Sequence, residues 1–254
     1  MKPILLCLHG WGGSRESFAE LRDAISSTKV EILIPDLPGF GNEPDPKKPW
    51  TIDDYADWVE LWLKEHAPDL WAPMNTRPFY LLGHSHGGRI SIKLAARKNF
   101  PVDHLFLCAA AGIHHSRHTK RIFGLTLAKA GKALLSIPGL DQLQPLGKKL
   151  LYKLVRVHDY EKASPVMRQT LILVTREDLQ HLLEKIKVPT DIFWGIDDQM
   201  TPVSDGKIMQ EKIKGSRLHL YPGVRHRVHR EKAQEIGFLI MKTAEDDERR
   251  LARA

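Results

Sequence analysis

Leu81-Leu82-Gly83-His84-Ser85-His86-Gly87-Gly88 is the stretch on which the reading of this 254-residue chain turns. A serine stands between two glycines in the spacing G-x-S-x-G. The residues before it, 79–82, form a short apolar run suited to a buried strand, and residues 89–98 carry a helical pattern. Between a strand and a helix this motif has a mechanical meaning: a tight turn pushes Ser85 to its apex, and Gly83 and Gly87 leave room where side chains would collide. A serine hydroxyl is a poor nucleophile until it is exposed and set beside a base. The helix that follows starts near His86, so its free N–H groups and positive dipole end face the same point. The backbone N–H of His86 is a natural donor to an oxyanion there.

Working outward, the pattern alternates. Strands are expected over residues 4–8, 30–34, 79–82, 105–110, 190–194 and 218–221. Helices are expected from Ser14 to about Ser26 and over residues 52–66, 89–98, 204–213 and 232–242, with the charged residues 245–254 extending the last one. Alternating strands and helices predict an α/β fold, a mostly parallel sheet flanked by helices. Ligands in such sheets sit beyond the carboxyl ends of the strands, where each motif here falls. Between residues 113 and 187 the alternation stops and helical patterns interrupted by Pro138-Gly139, Pro145 and Pro165 take over. This predicts a helical insertion at residues 113–188 between core segments 1–112 and 189–254.

Composition agrees with one folded unit. The hydrophobic fraction is 42% and the charged fraction 27%, which excludes whole-chain disorder. The net charge of +7 is unevenly placed: residues 113–187 hold nine Lys and five Arg against three Asp and three Glu, and the rest of the chain is close to neutral. A solvated basic helical face is the expectation, with an anionic substrate as the second reading. Basic-aromatic interleaving is missing, so no nucleic-acid partner is expected. Cys7 and Cys108 lie in apolar runs and read as core thiols. The N-terminal apolar stretch is too short for a signal peptide, and no apolar run nears the roughly 18 residues of a membrane span. The expectation is a soluble cytoplasmic protein with no membrane partner. Oligomeric state is not legible.

Three further stretches carry chemistry. His9-Gly10-Trp11-Gly12-Gly13 follows the first strand, and its glycines let the backbone approach a ligand. The Trp11 N–H would be the second oxyanion donor, with His9 bracing the loop. Neither a G-x-G-x-x-G nor a P-loop Lys-Ser/Thr is present, which sets phosphate binding aside. In Trp194-Gly195-Ile196-Asp197-Asp198, either aspartate could orient a base by accepting its ring N–H. Of the 13 histidines, only His219, His226 and His229 come late enough to complete the order Ser, Asp, His. His219 lies inside a strand pattern, and His226 follows a Pro222-Gly223 turn. His114, His115 and His118 lack a matching ligand pair at zinc spacing, so no metal is expected.

Together these stretches, with Asp36-Leu37-Pro38-Gly39-Phe40-Gly41, Asp198-Gln199-Met200-Thr201-Pro202 and Pro222-Gly223-Val224-Arg225-His226, resemble the α/β-hydrolase superfamily along essentially the whole chain. The resemblance implies Ser85 as nucleophile, Asp198 rather than Asp197 as acid, and His226 rather than His229 as base. It implies that residues 113–188 are a cap over the site. Departures are the absence of the family's N-terminal hairpin, His86 where Met, Phe, Leu or Gln is familiar, and Arg225 in place of Gly before the histidine. A serine nucleophile argues against relatives that use aspartate. The His-Gly-Gly-Pro-Gly loop of prolyl iminopeptidases is missing, and no Trp follows His226 as in C–C hydrolases. The expected activity is hydrolysis of a carboxylic ester or thioester through an acyl-enzyme, with no cofactor. C–C hydrolysis, acyl transfer, peptide cleavage and a non-catalytic binding role on the same fold are the alternatives.

Overall fold

The computed structural model describes residues 2–72, 77–97, 100–115 and 163–252. Six strands form one sheet: β1 (Ile4–Leu8), β2 (Glu31–Leu33), β3 (Phe79–His84), β4 (His104–Cys108), β5 (Thr190–Gly195) and β6 (Arg217–Tyr221). Their order is β2-β1-β3-β4-β5-β6, and every pair is parallel. The central strands are buried along their whole length. That is why they read as continuous apolar runs rather than alternating ones: both faces are covered.

The helices are α1 (Ala19–Ala24), α2 (Ile52–His66), α3 (His86–Ala95), α4 (Pro165–Arg176), α5 (Gln180–Leu183), α6 (Val203–Lys212), α7 (Val228–Glu231) and α8 (Ala233–Leu251). Side chains alternate across a strand, so β3 shows which helix lies on which face. A side chain at position 83 would run into Ser91 and Gly88 of α3. Tyr80, on the opposite face, donates its hydroxyl to Asp247 of α8 at 2.7 Å. Helices therefore cover both faces of the sheet.

Most element boundaries follow local chemistry. Helix α2 begins where Thr51 caps the Asp54 N–H and Asp54 returns a bond to the Thr51 backbone. Ser14 caps a 3₁₀ turn, Arg15–Phe18, that runs into α1. Helix α3 starts at His86, as the turn after Ser85 implies, ahead of the residues 89–98 that carry the helical pattern, with Gly87 and Gly88 inside it. A Cβ on Gly87 would sit 2.0 Å from the Leu8 carbonyl oxygen, so only glycine lets α3 press onto the end of β1. The final helix runs on through the expected charged extension and stays regular to Leu251. Cys7 and Cys108 are buried free thiols. Of the expected insertion, residues 113–115 and 163–188 are described and include α4 and α5; residues 116–162 lie outside the described residues.

Candidate active site

Ser85 sits between β3 and α3 with φ 52° and ψ −110°, a conformation that L-residues avoid and that costs about 1–3 kcal/mol. Its neighbours enforce it. The Ser85 N–H donates to the Cys108 carbonyl at 3.2 Å, and the Ala111 N–H donates to the Ser85 carbonyl at 2.9 Å. The segment after β4 thus grips the serine backbone from both sides. The side chain is left partly accessible at the carboxyl end of the sheet.

The Gly10 backbone before Trp11 runs close to the serine, where a Cβ on Gly10 would lie 3.2 Å from Ser85 Cβ. Trp11 follows β1 and His86 opens α3. Among the described residues, neither main-chain N–H has an acceptor. The Trp11 loop is braced by His9, which is fully buried. The Leu37 N–H donates to His9 Nε2 at 2.9 Å, so the proton must be on Nδ1, which lies 2.9 Å from the Gly10 carbonyl. Burial holds the His9 pKa below its usual value. The loop carrying Leu37 is closed in turn by Asp36, whose carboxylate accepts the N–H groups of Arg15 at 2.6 Å and Asn42 at 3.0 Å.

His226 and Asp198 come together from the loops after β6 and β5. His226 Nδ1 lies 2.7 Å from Asp198 Oδ2. The other carboxylate oxygen accepts the Met200 N–H at 2.7 Å and the Thr201 N–H at 3.1 Å. The Thr201 hydroxyl adds a bond to Asp198 Oδ2 at 2.8 Å and lies 3.2 Å from the Ala109 carbonyl, tying this loop to the one that grips Ser85. Burial works against the Asp198 charge, but the His226 bond and these donors win, and its pKa falls below the usual carboxylate value. Asp197 is exposed and uses its backbone N–H on the Val224 carbonyl at 3.1 Å.

The His226 ring centroid lies 4.9 Å from that of His84, the residue before Ser85. Among the described residues no hydrogen bond joins the Ser85 hydroxyl to the His226 ring. His229 is buried beneath, and His219 turns to the far end of the sheet to bond Asp191 at 2.7 Å. His86 points its ring into an aromatic enclosure of Trp11, Tyr55 and Phe40. The His114 ring lies 3.4 Å from the Thr175 carbonyl, His115 Nε2 lies 2.6 Å from Asp205, and His118 lies outside the described residues. No group of side chains suited to a metal occurs among the described residues.

Thr201 and His84 were not singled out from sequence, and His229 was weighed only as an alternative base to His226. Thr201 had a signal, three residues beyond Asp198 in the same motif. The contacts of the two histidines had none, because they join segments more than a hundred residues apart.

This architecture, with a sharply bent serine after the third strand and a histidine–aspartate pair after the last two, is that of an α/β-hydrolase. A family model described as serine aminopeptidase, S33, matches residues 1–233, and the chain belongs to that family. Among curated relatives, it is 26% identical over 235 residues to Lipase 3 of Moraxella sp. (strain TA144), covering 89% of this chain and 71% of that protein. It is 28% identical over 243 residues to the pimeloyl-[acyl-carrier protein] methyl ester esterase of Neisseria meningitidis, covering 86% and 69%. Among solved structures, an esterase from Exiguobacterium antarcticum superposes with a TM-score of 0.69 at 21% identity, covering 96% of this chain and 92% of its own. Among the described residues no helix is long and apolar enough to cross a membrane.

Proposed function

We propose that this protein is a serine hydrolase that cleaves a carboxylic ester or thioester through an acyl-enzyme on Ser85. The observation that carries the reading is the 2.7 Å bond between His226 Nδ1 and Asp198, made at the sheet end where the Ser85 backbone is held in its strained turn. A base whose Nδ1–H is committed to a carboxylate keeps Nε2 free to take a proton. In this reading His226 removes the Ser85 proton as Oγ attacks the carbonyl carbon. The Trp11 and His86 N–H groups receive the oxyanion, each worth roughly 2.7–4 kcal/mol of transition-state stabilisation. The alcohol or thiol leaves with the proton from His226, and water repeats the cycle to release the acid. No resident cofactor takes part.

Relatives named as a lipase and a methyl ester esterase support esters over amides. The same proposal makes residues 113–188 the cap over the acyl site and places the protein in the cytoplasm. A series of p-nitrophenyl esters from acetate to palmitate, with Ser85→Ala alongside, tests it. Turnover that vanishes in the alanine variant, and fluorophosphonate labelling confined to Ser85, are expected. A folded protein that neither hydrolyses any ester nor labels at Ser85 would be a binding protein on this fold. Release of a peptide or C–C cleavage product in place of acid and alcohol would move the chemistry to one of its neighbours.

A further inference from the structure

Three imidazoles, those of His84, His226 and His229, gather beside the nucleophile turn. The rings of His84 and His226 are 4.9 Å apart between centroids, and those of His84 and His229 are 3.8 Å apart and tilted by 34°. His84 Nε2 lies 3.0 Å from the backbone carbonyl oxygen of His226. A carbonyl can only accept, so Nε2 carries the proton and Nδ1 is bare. The Nδ1 edge faces Gly10, where a Cβ would come within 2.9 Å of it. His229 covers the ring, is itself 2% exposed, and rests on Phe18. The donor on His84 is therefore clamped on its edge by Gly10 and on its face by His229, with one direction left to it.

That direction matters because, with its neighbours held by packing of Arg225 on Gly195 and by bonds to the Arg227 carbonyl, His226 itself depends on it. Backbone bonds secure the start of the loop after β6, from the Ile196 N–H to the Tyr221 carbonyl at 3.0 Å and from the Asp197 N–H to the Val224 carbonyl at 3.1 Å. Among the described residues the main chain of His226 has no hydrogen bond except the one from His84. Asp198 fixes the ring through Nδ1, which sets its tautomer, while His84 holds the main chain.

We infer that His84 is a positioning residue for the reaction proposed above: its Nε2–H holds the His226 backbone so that the ring's free nitrogen stays aligned with the Ser85 hydroxyl. His229 serves as the slab against which His84 is braced. The inference rests on the serine-hydrolase reading, and the test separates the two. A displacement of about 1 Å at a reacting group is enough to cost on the order of a hundredfold in rate.

His84→Phe keeps a buried ring and removes the donor. With p-nitrophenyl butyrate, kcat is expected to fall about 10- to 100-fold with KM within about twofold, because alignment rather than binding is lost. His84→Gln, whose amide nitrogen reaches the place of Nε2, is expected to restore kcat to within a few-fold. His84→Asn is one bond too short and is expected to behave like Phe, so it replaces the Phe variant if that chain does not fold. In proton NMR, the downfield signal of the His226 Nδ1–H is expected to be sharp in the parent and broadened in Phe or Asn. Parental kcat in a folded Phe or Asn variant, or a Gln variant no better than Phe, would overturn the positioning role while leaving Ser85 chemistry intact. Loss of ester turnover and of Ser85 labelling in the parent protein itself would instead remove the reading on which it rests.

Discussion

His9 and His86 are both buried histidines, one on each side of the Trp11 loop, and they differ in what they bond. His9 uses both nitrogens and closes two loops with them. His86 is 3% exposed with both nitrogens unbonded among the described residues, and burial pushes its pKa down to about 3. A neutral imidazole that bonds nothing loses its hydration without return, at about 1–3 kcal/mol for an unsatisfied buried polar group. Methionine has similar volume, no such groups, and packs well against aromatic edges. His86→Met is therefore expected to stabilise the fold by about 1–2 kcal/mol. In thermal unfolding this would raise Tm by a few degrees, at about 2–4 °C per kcal/mol for a domain of this size. A melting point at or below the parental value would mean that His86 has a partner in the folded protein.

At the scale of elements, the opposite end of the sheet is organised around one carboxylate. Asp191, second in β5, is fully buried and accepts bonds from His104 of β4 at 2.9 Å, from Arg217 of β6 at 2.9 and 2.7 Å, and from His219 at 2.7 Å. Burial opposes its charge, but the bonds from His104, His219 and Arg217 outweigh it and drive its pKa far below the usual value. A carboxylate depressed in this way stabilises the fold at any pH above its unfolded pKa of about 3.9, and that contribution drains away as pH drops below it. Asp191→Asn is thus expected to lower stability at pH 7 by on the order of 3 kcal/mol. In urea melts the gap between variant and parent should narrow from pH 5 to pH 3. A gap that stays constant would show that the Asp191 charge is not what joins the three strands. This network could not be read in advance: its members look like ordinary strand residues until β4, β5 and β6 are set in register. Strand β1 and helix α2 were legible because their signals are local, an unbroken apolar run and a cap followed by periodic burial. Helix α3 shows its start through the turn motif at Ser85, while glycine's low helix propensity at Gly87 and Gly88 delays its periodic pattern to residue 89.

For the molecule as a whole, charge is the property that local motifs do not capture. The positive excess is concentrated between residues 113 and 187, the segment expected to roof the site. If that segment draws in a negatively charged substrate, KM for the mono-p-nitrophenyl ester of succinate should rise several-fold from low to high salt, since exposed charges are screened over about 8 Å at physiological ionic strength. KM for the neutral butyrate should barely move. Equal responses from the two esters would leave the basic face a solvation feature only. The candidate site was legible in part. Ser85, Asp198 and His226 are each flagged by glycines, prolines or strand ends beside them in sequence. The contacts that join their loops, from Thr201 to the Ala109 carbonyl and from His84 to the His226 carbonyl, arise only when distant segments meet.

A parallel sheet has two unlike ends, and this chain uses them differently. The loops leaving the strands carry Ser85, Asp198 and His226, while the starts of β4, β5 and β6 are clasped around Asp191. Strands of five or six residues separate the two by roughly 17–20 Å. Inherited changes can therefore accumulate in the outgoing loops, altering what is accepted for cleavage, without loosening the clasp that keeps the strands in order.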